Sequence, residues 1–551
     1  MNYEKLAEIL FPNITKTPAD YENEFPERQL PEGAKVTRLG PSPTGFIHLG
    51  NLYGAFVDER LAHQSGGTFY LRIEDTDDKR RVDGAVEVII SSLKFFGVSF
   101  DEGAGLTEDT GDYGPYYQSS RAEIYQSFAK QMVSRGQAYP CFLKEDEISA
   151  IRAEQESGKL TPGIYGKWAK HRELSIEEIE SRIAAGEDFV VRLKSQGQEN
   201  SGKTFTVEDA VRGALTMPEN FQDTVILKSN GIPTYHFAHV VDDYLMRTTH
   251  VVRGEEWLPS LPIHVELFNT LGLKMPVYCH TAQLMKIDDE TGVKRKLSKR
   301  KDPELSLDYY REKGYHPAAV RDYLLTVLNS NFEEWRAENP DAPIDSFEFT
   351  TEKMSNSGAL FDINKLNDVC KDVLLRIPAA ELAEFMTDWA KEFKPELTAL
   401  INADPEYLAS ILDIGRSGAK PRKDLMYAEQ IFDFISFFFD DYFKYEDEVP
   451  ENVPVEDYAD IINSYLETYN HSDSQEEWFG KVREMGTEKG YAAKPKDFKK
   501  NPDQYKGHVG HVSTVIRIAL TGRANSPDIW EIQQILGEEK VRERMNSFIN
   551  R

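Results

Sequence analysis

The spacing of hydrophobic positions near the start of the chain predicts one strand–turn–helix–strand unit. A short strand around Val36 leads into a Pro/Gly-rich turn at Gly40–Gly45. Helical spacing follows from about Gly50 and stops at Gly66-Gly67, and the apolar run Phe69–Ile73 predicts a second strand. A β-turn-α-β unit of this kind is typical of α/β proteins.

Further along the chain, helical and alternating patterns mix before helices take over. Residues 82–96 and 120–136 show helical spacing. The patterns predict strands at Phe189–Leu193, Phe205–Val207, Val225–Lys228 and Val251–Arg253. From about residue 305 the pattern is almost wholly helical, with the clearest periodicity in Ala379–Phe393, Pro405–Ile414, Met426–Phe438 and Val512–Leu520.

The composition fits a folded protein of several domains. The chain has 551 residues, of which 40% are hydrophobic, and this excludes a disordered chain. Its three cysteines stand far apart, as in proteins of a reducing compartment. Neither a signal peptide nor an apolar run of membrane-spanning length is present in the sequence. We therefore expect a cytoplasmic protein with no membrane partner.

The net charge of −28 is distributed unevenly, so it does not describe the charge of each part of the chain. Residues 431–478 alone carry a net charge of −13, whereas residues 481–523 carry +6 and residues 294–301 form a dense basic cluster. A strongly acidic chain argues against non-specific binding to polyphosphates. The basic segments leave open a specific contact with nucleic acid.

The first chemical motif is the turn Pro41-Ser-Pro-Thr-Gly-Phe-Ile-His-Leu-Gly-Asn51. Gly45 and Gly50 permit close approach to the backbone, and the free N–H groups of the following helix attract phosphate. His48 stands at the start of this helix and could donate to a phosphoryl oxygen. The alternative interpretation is a Pro/Gly turn with a capping histidine.

A second motif, Lys296-Leu-Ser-Lys-Arg300, lies within the basic cluster at 294–301. A flexible basic loop can close over a polyphosphate, and Lys299 could stabilise a leaving pyrophosphate. The alternative is a solvated run of charge. The two motifs together outweigh either alternative.

With these motifs the chain resembles class I aminoacyl-tRNA synthetases, specifically the glutamyl-tRNA synthetase family. Pro41–Gly50 has the P-S-P-T-G-x-x-H-x-G form of one family signature, and Lys296–Arg300 has the K-x-S-K-R form of the other. The match runs from about Thr37 to Tyr323 and resumes weakly at 517–522 and 535–544. Further family strings stand in the expected order, at Arg72–Asp77, Gly114–Ser119, Val240–Asp243 and Arg253–Glu256.

The resemblance implies a multidomain fold. We expect a Rossmann-type α/β catalytic domain with an inserted α+β acceptor-binding domain, followed by an all-α anticodon-binding region. Residues 1–34, which are polar and rich in proline, are interpreted as an N-terminal extension. The expected domains are the first catalytic half (35–110), the inserted acceptor-stem-binding domain (111–220), the second catalytic half (221–290), the lysine-rich signature loop with a stem-contact helical domain (291–370) and the helical anticodon-binding domain (371–551).

The resemblance also assigns site residues, each by its match to a family motif. The catalytic residues are His48 and Lys299. The glutamate-binding residues are Arg38, Ser42, Glu74, Tyr235, Arg253 and, at a position where family members vary, His239. The ATP-binding residues are Thr44, Gly45, His48, Gly50, Asn51, Lys296, Leu297, Ser298 and Lys299. From their charge and location we add Lys294, Arg295, Lys499, Lys500 and Arg523 as tRNA-binding residues.

The implied reaction joins L-glutamate to tRNA-Glu with ATP and Mg²⁺. The amino acid is first activated as glutamyl-adenylate, in a step that waits for bound tRNA in this family, and is then transferred to the 2′-hydroxyl of the terminal adenosine. Whether tRNA-Gln is also charged stays open. We expect a monomer.

Several patterns compete with this interpretation. Gly197–Thr204 matches the P-loop pattern G-x-x-x-x-G-K-[ST], but the β-branched residues after Lys203 predict a strand where a P-loop needs a helix. Some relatives bind zinc through Cys-x-Cys and Tyr-x-Cys; here Cys141-Phe-Leu143 and Tyr165-Gly-Lys167 provide one thiol, so we predict no structural zinc. For the His236 and His239 pair, we favour a pocket or core role over metal binding.

Three functional alternatives remain from the sequence. A glutaminyl enzyme usually has P-E-P-N-G where this chain has Pro41-Ser-Pro-Thr-Gly45. A truncated relative that modifies tRNA lacks the anticodon domain, whereas this chain has more than 200 residues after Lys301. A non-catalytic tRNA-binding paralogue is expected to have lost His48, Lys299 or Arg253, and all three are present.

Overall fold

The computed structural model describes residues 2–77, 82–356, 358–417, 420–451 and 453–551. The chain forms two compact units. The first contains the residues up to Asp308 together with Arg321–Asp362, and the second contains Tyr309–Val320 and Ile363–Arg551. Among the described residues, no helix combines the length and the hydropathy that a bilayer crossing requires.

The first unit alternates strands and helices over most of its length. Its helices are α1 (Tyr3–Leu10), α2 (Pro18–Glu24), α3 (Leu49–Gln64), α4 (Ala85–Phe95), α5 (Ala122–Ser134), α6 (Glu145–Ser157), α7 (Ile176–Ala184), α8 (Tyr235–Leu245), α9 (Leu261–Leu271) and α12 (Phe332–Glu338). The residues of α10 (Leu307–Lys313) and α11 (Pro317–Leu328) are divided between the two units. Its strands are β1 (Val36–Leu39), β2 (Thr68–Leu71), β3 (Glu102–Gly103), β4 (Ala138–Cys141), β5 (Val190–Leu193), β6 (Thr204–Asp209), β7 (Gly213–Pro218), β8 (Val225–Leu227), β9 (His250–Gly254), β10 (Val277–Thr281), β11 (Leu284–Ile287), β12 (Lys294–Lys296) and β13 (Ala359–Leu360).

Parallel strands form the centre of the first unit. β1, β2 and β3 are parallel neighbours, with Val36 opposite Thr68, and α3 is the crossover between β1 and β2. β9 and β10 are also parallel, with Arg253 opposite His280. The N–H of Thr249 donates to the Val36 carbonyl at 2.9 Å, which connects the two sheets beside β1. All four residues of β1 and of β2 are buried, as expected when helices cover both faces of a parallel sheet.

Residues 138–227 contain antiparallel strands. β4, β5 and β8 form one antiparallel sheet. The hairpin of β6 and β7 pairs through β6 with β10, so it extends the sheet that contains Arg253. Lys203 leads directly into β6 instead of a helix. The P-loop alternative is therefore excluded by the local structure, as the sequence pattern predicted.

Residues 2–34 are part of the first unit. α1 buries Leu6, Ala7 and Leu10, and it packs against α5. The ammonium group of Lys130 on α5 donates to the Phe11 carbonyl at 3.2 Å and to the Ile14 carbonyl at 2.8 Å, which satisfies free carbonyls beyond the end of α1. The prediction of an extension did not include these helices.

The second unit is helical, as the periodicity after residue 305 predicted. Its helices are α13 (Ile363–Arg376), α14 (Ala379–Phe393), α15 (Pro395–Ile401), α16 (Pro405–Asp413), α17 (Ala428–Ile435), α18 (Val455–Thr468), α19 (Gln475–Glu488), α20 (Pro495–Lys500), α21 (Val509–Thr521), α22 (Ile529–Leu536) and α23 (Glu538–Ile549). One short parallel pair interrupts them, formed by β14 (Tyr491–Ala492) and β15 (Gly507–His508).

Two apolar clusters stabilise this helical unit. One is built mainly from α14, α16 and α17, and includes Trp389 and Phe432. The other lies among α18, α19, α21 and α23, and includes Trp478 and Phe548. Helices that are amphipathic in isolation bury their apolar stripes against one another in this way.

Candidate active site

A cavity of about 440 Å³ opens at the carboxyl ends of β1, β9 and β10 in the first unit. This is where ligands bind in open parallel sheets. Both sequence motifs contribute to the cavity wall. The lining residues are Arg38, Leu39, Gly40, Pro41, Ser42, His48, Gly50, Asn51, Tyr53, Gly54, Asp58, Glu74, Tyr235, Val252, Arg253, Gly254, Glu256, Trp257, Thr281, Ala282, Gln283, Leu284, Lys296, Leu297 and Leu305.

A buried charge network supports one wall of this cavity. Arg72 donates to Asp243 Oδ1 at 2.6 Å and to Glu74 Oε1 at 3.0 Å, and Arg38 donates to the same Asp243 oxygen at 3.2 Å. Burial opposes ionisation, yet the two guanidinium groups keep the pKa of Asp243 well below its ordinary value. Burial raises the pKa of Glu74, against the attraction of Arg72 and Arg38. A Cβ at Gly40 would lie 2.4 Å from Glu74 Oε1, so the Glu74 carboxylate can occupy this position because residue 40 has no side chain.

The guanidinium group of Arg253 is held by two imidazoles. Its Nε donates to Nε2 of His280 at 3.0 Å, and its Nη1 lies 3.1 Å from Nδ1 of His264. The ring of Tyr278 lies 4.6 Å from the guanidinium carbon. Nη2 is buried and has no hydrogen-bond partner within the described ranges. An Arg side chain that lines a cavity and has an unpartnered Nη2 amino group is suited to bind an anionic ligand.

Tyr235 and Trp257 form an aromatic wall beside Arg253. Their ring centroids lie 4.5 Å apart, and burial raises the pKa of Tyr235. The His239 ring is stacked with Tyr235, is fully buried and is not among the residues that line the cavity. Its Nδ1 lies 2.8 Å from Asp243 Oδ2, and its Nε2 lies 2.9 Å from the Tyr278 hydroxyl. In this geometry His239 supports the network behind the cavity.

His48 is the N-terminal cap of α3. Its Nδ1 accepts from the N–H of Asn51 at 3.3 Å, and its own N–H donates to Asn51 Oδ1 at 3.1 Å. Burial lowers the pKa of His48, so the ring is neutral near pH 7. Because Nδ1 is an acceptor, the proton lies on Nε2 and is available to a ligand.

The second motif follows the hairpin of β11 and β12. Lys296 and Leu297 line the cavity, whereas Thr44, Gly45, Ser298 and Lys299 lie outside its lining. The ammonium group of Lys299 lies 4.0 Å from the Phe46 ring centroid, in the turn before α3. The structure thus brings the two motifs together, although they are about 250 residues apart in the sequence.

The expected tRNA-binding residues have different environments. Lys294 is exposed and donates to the Gly358 carbonyl at 3.2 Å. Arg295 donates to Asp288 at 2.7 Å and to both carboxylate oxygens of Asp302, at 2.6 and 2.8 Å. These hydrogen bonds from Arg295 are the main reason that the pKa values of Asp288 and Asp302 fall to about 2. Arg295 therefore stabilises the loop that carries the second motif.

In the second unit, Lys499 and Lys500 are exposed at the end of α20. Arg523 has another environment, since it donates to both carboxylate oxygens of Glu446 at 2.8 and 3.0 Å and to the Asp433 carbonyl at 2.7 Å. The guanidinium group of Arg523 is engaged within the fold, whereas the two lysine side chains face solvent.

The sequence motifs did not identify several residues that shape the cavity. Arg72 and Asp243 stand in family strings, but only the structure reveals their ion pair. Asp58 lines the cavity, and burial raises its pKa well above the ordinary value. His264 and His280 were also missed; His280 stands opposite Arg253 on the parallel strand β10, and this pairing is visible only in the structure.

Comparisons with known proteins match each of two parts of the chain to a known domain family. Residues 35–368 match the family of tRNA synthetases class I (E and Q), catalytic domain, and residues 381–549 match the anticodon binding domain family. A glutamate–tRNA ligase from Acetivibrio thermocellus is 64% identical over the full length of both chains. One from Clostridium perfringens is 49% identical, also over the full length of both.

Solved structures are similar over nearly the whole chain. A glutamate tRNA ligase from Elizabethkingia meningosepticum, solved in complex with its amino acid, is 25% identical and has a TM-score of 0.72 over 94% of this chain and 99% of the other. A glutamate-tRNA synthetase from Elizabethkingia anophelis is 27% identical with a TM-score of 0.72. The expected catalytic domain and helical anticodon-binding region are thereby confirmed. The chain belongs to the glutamate–tRNA ligases, a family of class I aminoacyl-tRNA synthetases.

Proposed function

We propose that this chain ligates L-glutamate to tRNA-Glu in two steps, through glutamyl-adenylate and with transfer to the 2′-hydroxyl of the terminal adenosine. The observation that carries the proposal is one cavity lined by Arg253, Arg38 and Glu74, in which the buried Nη2 of Arg253 has no hydrogen-bond partner within the described residues. Glutamate has two carboxylates and one ammonium group. Two guanidinium groups and one carboxylate complement these charges.

Each charged group of glutamate has a partner in the proposed arrangement. Arg253 binds the side-chain carboxylate, and Glu74 accepts hydrogen bonds from the ammonium group. Arg38 and Ser42 orient the α-carboxylate, and Tyr235 closes the side of the pocket. Because Asp243 holds Arg38 and Arg72 in place, this pocket is organised before the substrate arrives.

In the first step, an α-carboxylate oxygen attacks the α-phosphorus of ATP, and pyrophosphate leaves with the bonding electron pair. The Nε2–H group of His48 donates to a phosphate oxygen where negative charge develops. Lys296 and Lys299 offset the charge of the leaving pyrophosphate. Thr44, Gly45, Gly50, Asn51, Leu297 and Ser298 complete the proposed ATP site through the backbone of the two motifs. Gly45 has φ of +72°, which favours glycine in the first turn.

Mg²⁺ fits this site as a partner of ATP. Within the described residues, no group of three His, Cys, Asp or Glu side chains is arranged to enclose a metal ion. Mg²⁺ usually retains waters and binds through substrate phosphates with one or two carboxylates, and Glu256 in the cavity wall offers such a carboxylate. When bound, the ion neutralises phosphate charge.

In the second step, the 2′-hydroxyl of the terminal adenosine attacks the carbonyl carbon of glutamyl-adenylate, and AMP leaves. The mixed anhydride is already activated, so the step requires no protein nucleophile. Lys294, Lys499 and Lys500 are proposed to contact the tRNA backbone, because their side chains are exposed and positively charged. Arg295 and Arg523 are proposed to contribute by stabilising their surroundings.

The test is charging of tRNA-Glu and tRNA-Gln transcripts with radiolabelled glutamate. tRNA-Glu that ends in 3′-deoxyadenosine should be charged, whereas the transcript that ends in 2′-deoxyadenosine should not. The opposite preference would overturn the proposed site of transfer. Charging of tRNA-Gln would add a second substrate, and absence of charging of either tRNA would overturn the proposed function.

A further inference from the structure

The contacts of Arg253 determine which ring nitrogens of its neighbours carry a proton. A guanidinium group is permanently protonated and only donates. Nε2 of His280 therefore accepts from Arg253, and the His280 proton is on Nδ1, which lies 2.6 Å from Asp209 Oδ2. Although burial opposes it, the hydrogen bond from His280 lowers the pKa of Asp209, so this carboxylate is ionised. Asp209 thus fixes His280 as a neutral acceptor.

The same reasoning applies to His264 on α9. Its Nδ1 accepts from Nη1 of Arg253 at 3.1 Å, and its Nε2 lies 2.9 Å from Nδ1 of His236. If Nδ1 of His264 is an acceptor, its proton is on Nε2 and is donated to His236. Burial lowers the pKa of His264 well below its ordinary value and the pKa of His236 to about 4. Both rings are therefore neutral near pH 7.

The side chains that accept hydrogen bonds from Arg253 are neutral, unlike the partner of the other buried guanidinium groups of the site. Arg38 and Arg72 are each bound to the carboxylate of Asp243. Over the ranges that the structure describes, no Asp or Glu oxygen lies within 4.0 Å of the Arg253 guanidinium nitrogens. The side chain is only 8% exposed. Its positive charge is held by two neutral imidazoles, and the ionised Asp209 reaches it only through His280.

We propose that His264 and His280 are positioning residues that set the selectivity for glutamate by orienting Arg253 without neutralising it. This inference rests on the proposed role of Arg253 in binding the side-chain carboxylate. A carboxylate in place of either imidazole would hold the guanidinium equally well, but it would provide internally the charge that the substrate must bring. A neutral amide of glutamine cannot compensate the buried charge, and it is rejected for this reason.

The experiment compares His264→Asn with His264→Asp. Both side chains are nearly equal in size and place an oxygen near the position of Nδ1, so both can accept from Nη1, and they differ by one charge. The measurements are KM and kcat for L-glutamate, KM for ATP and activation of L-glutamine, in ATP–pyrophosphate exchange with tRNA-Glu present. The melting temperature of each variant is measured in parallel.

We expect His264→Asn to raise KM for glutamate by roughly tenfold or less, because a neutral acceptor is retained. His264→Asp should raise it by roughly 100-fold and should reduce the preference for glutamate over glutamine by a similar factor. KM for ATP should change by less than about threefold in both. His264→Asp should melt no lower than His264→Asn, because a paired buried cation is less costly than an unpaired one.

Equal glutamate KM values in the two variants would overturn the inference, as would an unchanged preference for glutamate in His264→Asp. If His264→Asp does not fold, the same comparison is made with His264→Gln and His264→Glu, which also differ by one charge, and the same criteria apply. A wild-type enzyme without glutamate-dependent exchange would instead refute the proposed function itself. The two failures are therefore distinguishable.

Discussion

The Nη1 atom of Arg72 lies 2.6 Å from Oδ1 of Asp243, and neither side chain is exposed to solvent. This ion pair joins the end of β2 to α8, and the same carboxylate also holds Arg38. Through these contacts, residues that are far apart in the sequence form one buried network that supports a wall of the cavity. The first prediction concerns this wall.

Asp243→Asn should lower the free energy of unfolding of the first unit by about 3–5 kcal/mol, because two buried guanidinium groups lose their anionic partner. Urea unfolding followed by circular dichroism measures the change. The matched control is Glu156→Gln, which removes an exposed ion pair with Arg152 and should cost less than about 0.5 kcal/mol. Equal effects of the two substitutions would contradict the structural role of Asp243.

His48→Asn should separate the two roles of this histidine. Asn can cap α3 as the Nδ1 atom of His48 does, but it lacks the Nε2–H group. We expect kcat for adenylate formation to fall by about 10²–10³-fold, with little change in melting temperature. Asn51→Ala, which removes the reciprocal cap, should instead lower the melting temperature. A stable His48→Asn variant with normal kcat would exclude His48 as a donor to phosphate.

Among the basic residues of the second unit, Lys499 and Lys500 should affect tRNA binding, whereas Arg523 should affect stability. The double variant Lys499→Gln/Lys500→Gln should raise KM for tRNA-Glu at an unchanged melting temperature. The slope of the logarithm of the binding constant against the logarithm of the salt concentration should become shallower by about one to two. Arg523→Gln should lower the melting temperature, because Glu446 and the Asp433 carbonyl lose their donor. If the lysine variant binds tRNA with the wild-type salt dependence, these lysines do not contact the backbone.

The buried His239 should make the protein less stable in acid. Burial lowers its pKa to about 3, compared with about 6.5 in an unfolded chain. Between these values the unfolded state binds more protons than the folded state, so stability decreases as pH falls below about 6.5. His239→Gln should remove up to about 1.4 kcal/mol per pH unit from this slope, with the full value approached near pH 5, measured by urea unfolding between pH 7 and 5. Parallel slopes for wild type and variant would show that His239 is not held neutral.

Local patterns in the sequence predicted the regular elements well where one periodicity dominates. The helix at Ala379–Phe393 has the predicted bounds, and the strand–turn–helix–strand unit lies where the spacing placed it. Met426–Phe438 became a shorter helix, Ala428–Ile435, followed by one 3₁₀ turn at Ser436–Phe438. The hydrophobic pattern does not distinguish these two helix types, because both segments bury apolar residues, Ile431 and Ile435 in the α-helix and Phe437 and Phe438 in the 3₁₀ turn.

The contacts behind the cavity required the structure, because they join residues distant in the chain. The motifs identified Arg253, but a polar residue such as His280 has no visible partner until β10 is placed beside β9. Similarly, the charge of Arg523 predicted a tRNA contact, whereas its ion pair with Glu446 is set by tertiary packing. A charge in a sequence indicates what a residue can bind, and its neighbours determine whether that capacity is already used.

ATP–pyrophosphate exchange tests the central claim most directly. With tRNA-Glu present, exchange should require L-glutamate, and Arg253→Ala should raise KM for glutamate by roughly 100-fold while KM for ATP stays within about threefold of wild type. Exchange without tRNA should be much weaker. Absence of exchange in the wild-type enzyme under every condition would contradict the proposed activation of glutamate, and equal losses for glutamate and ATP in Arg253→Ala would contradict the placement of the side-chain pocket.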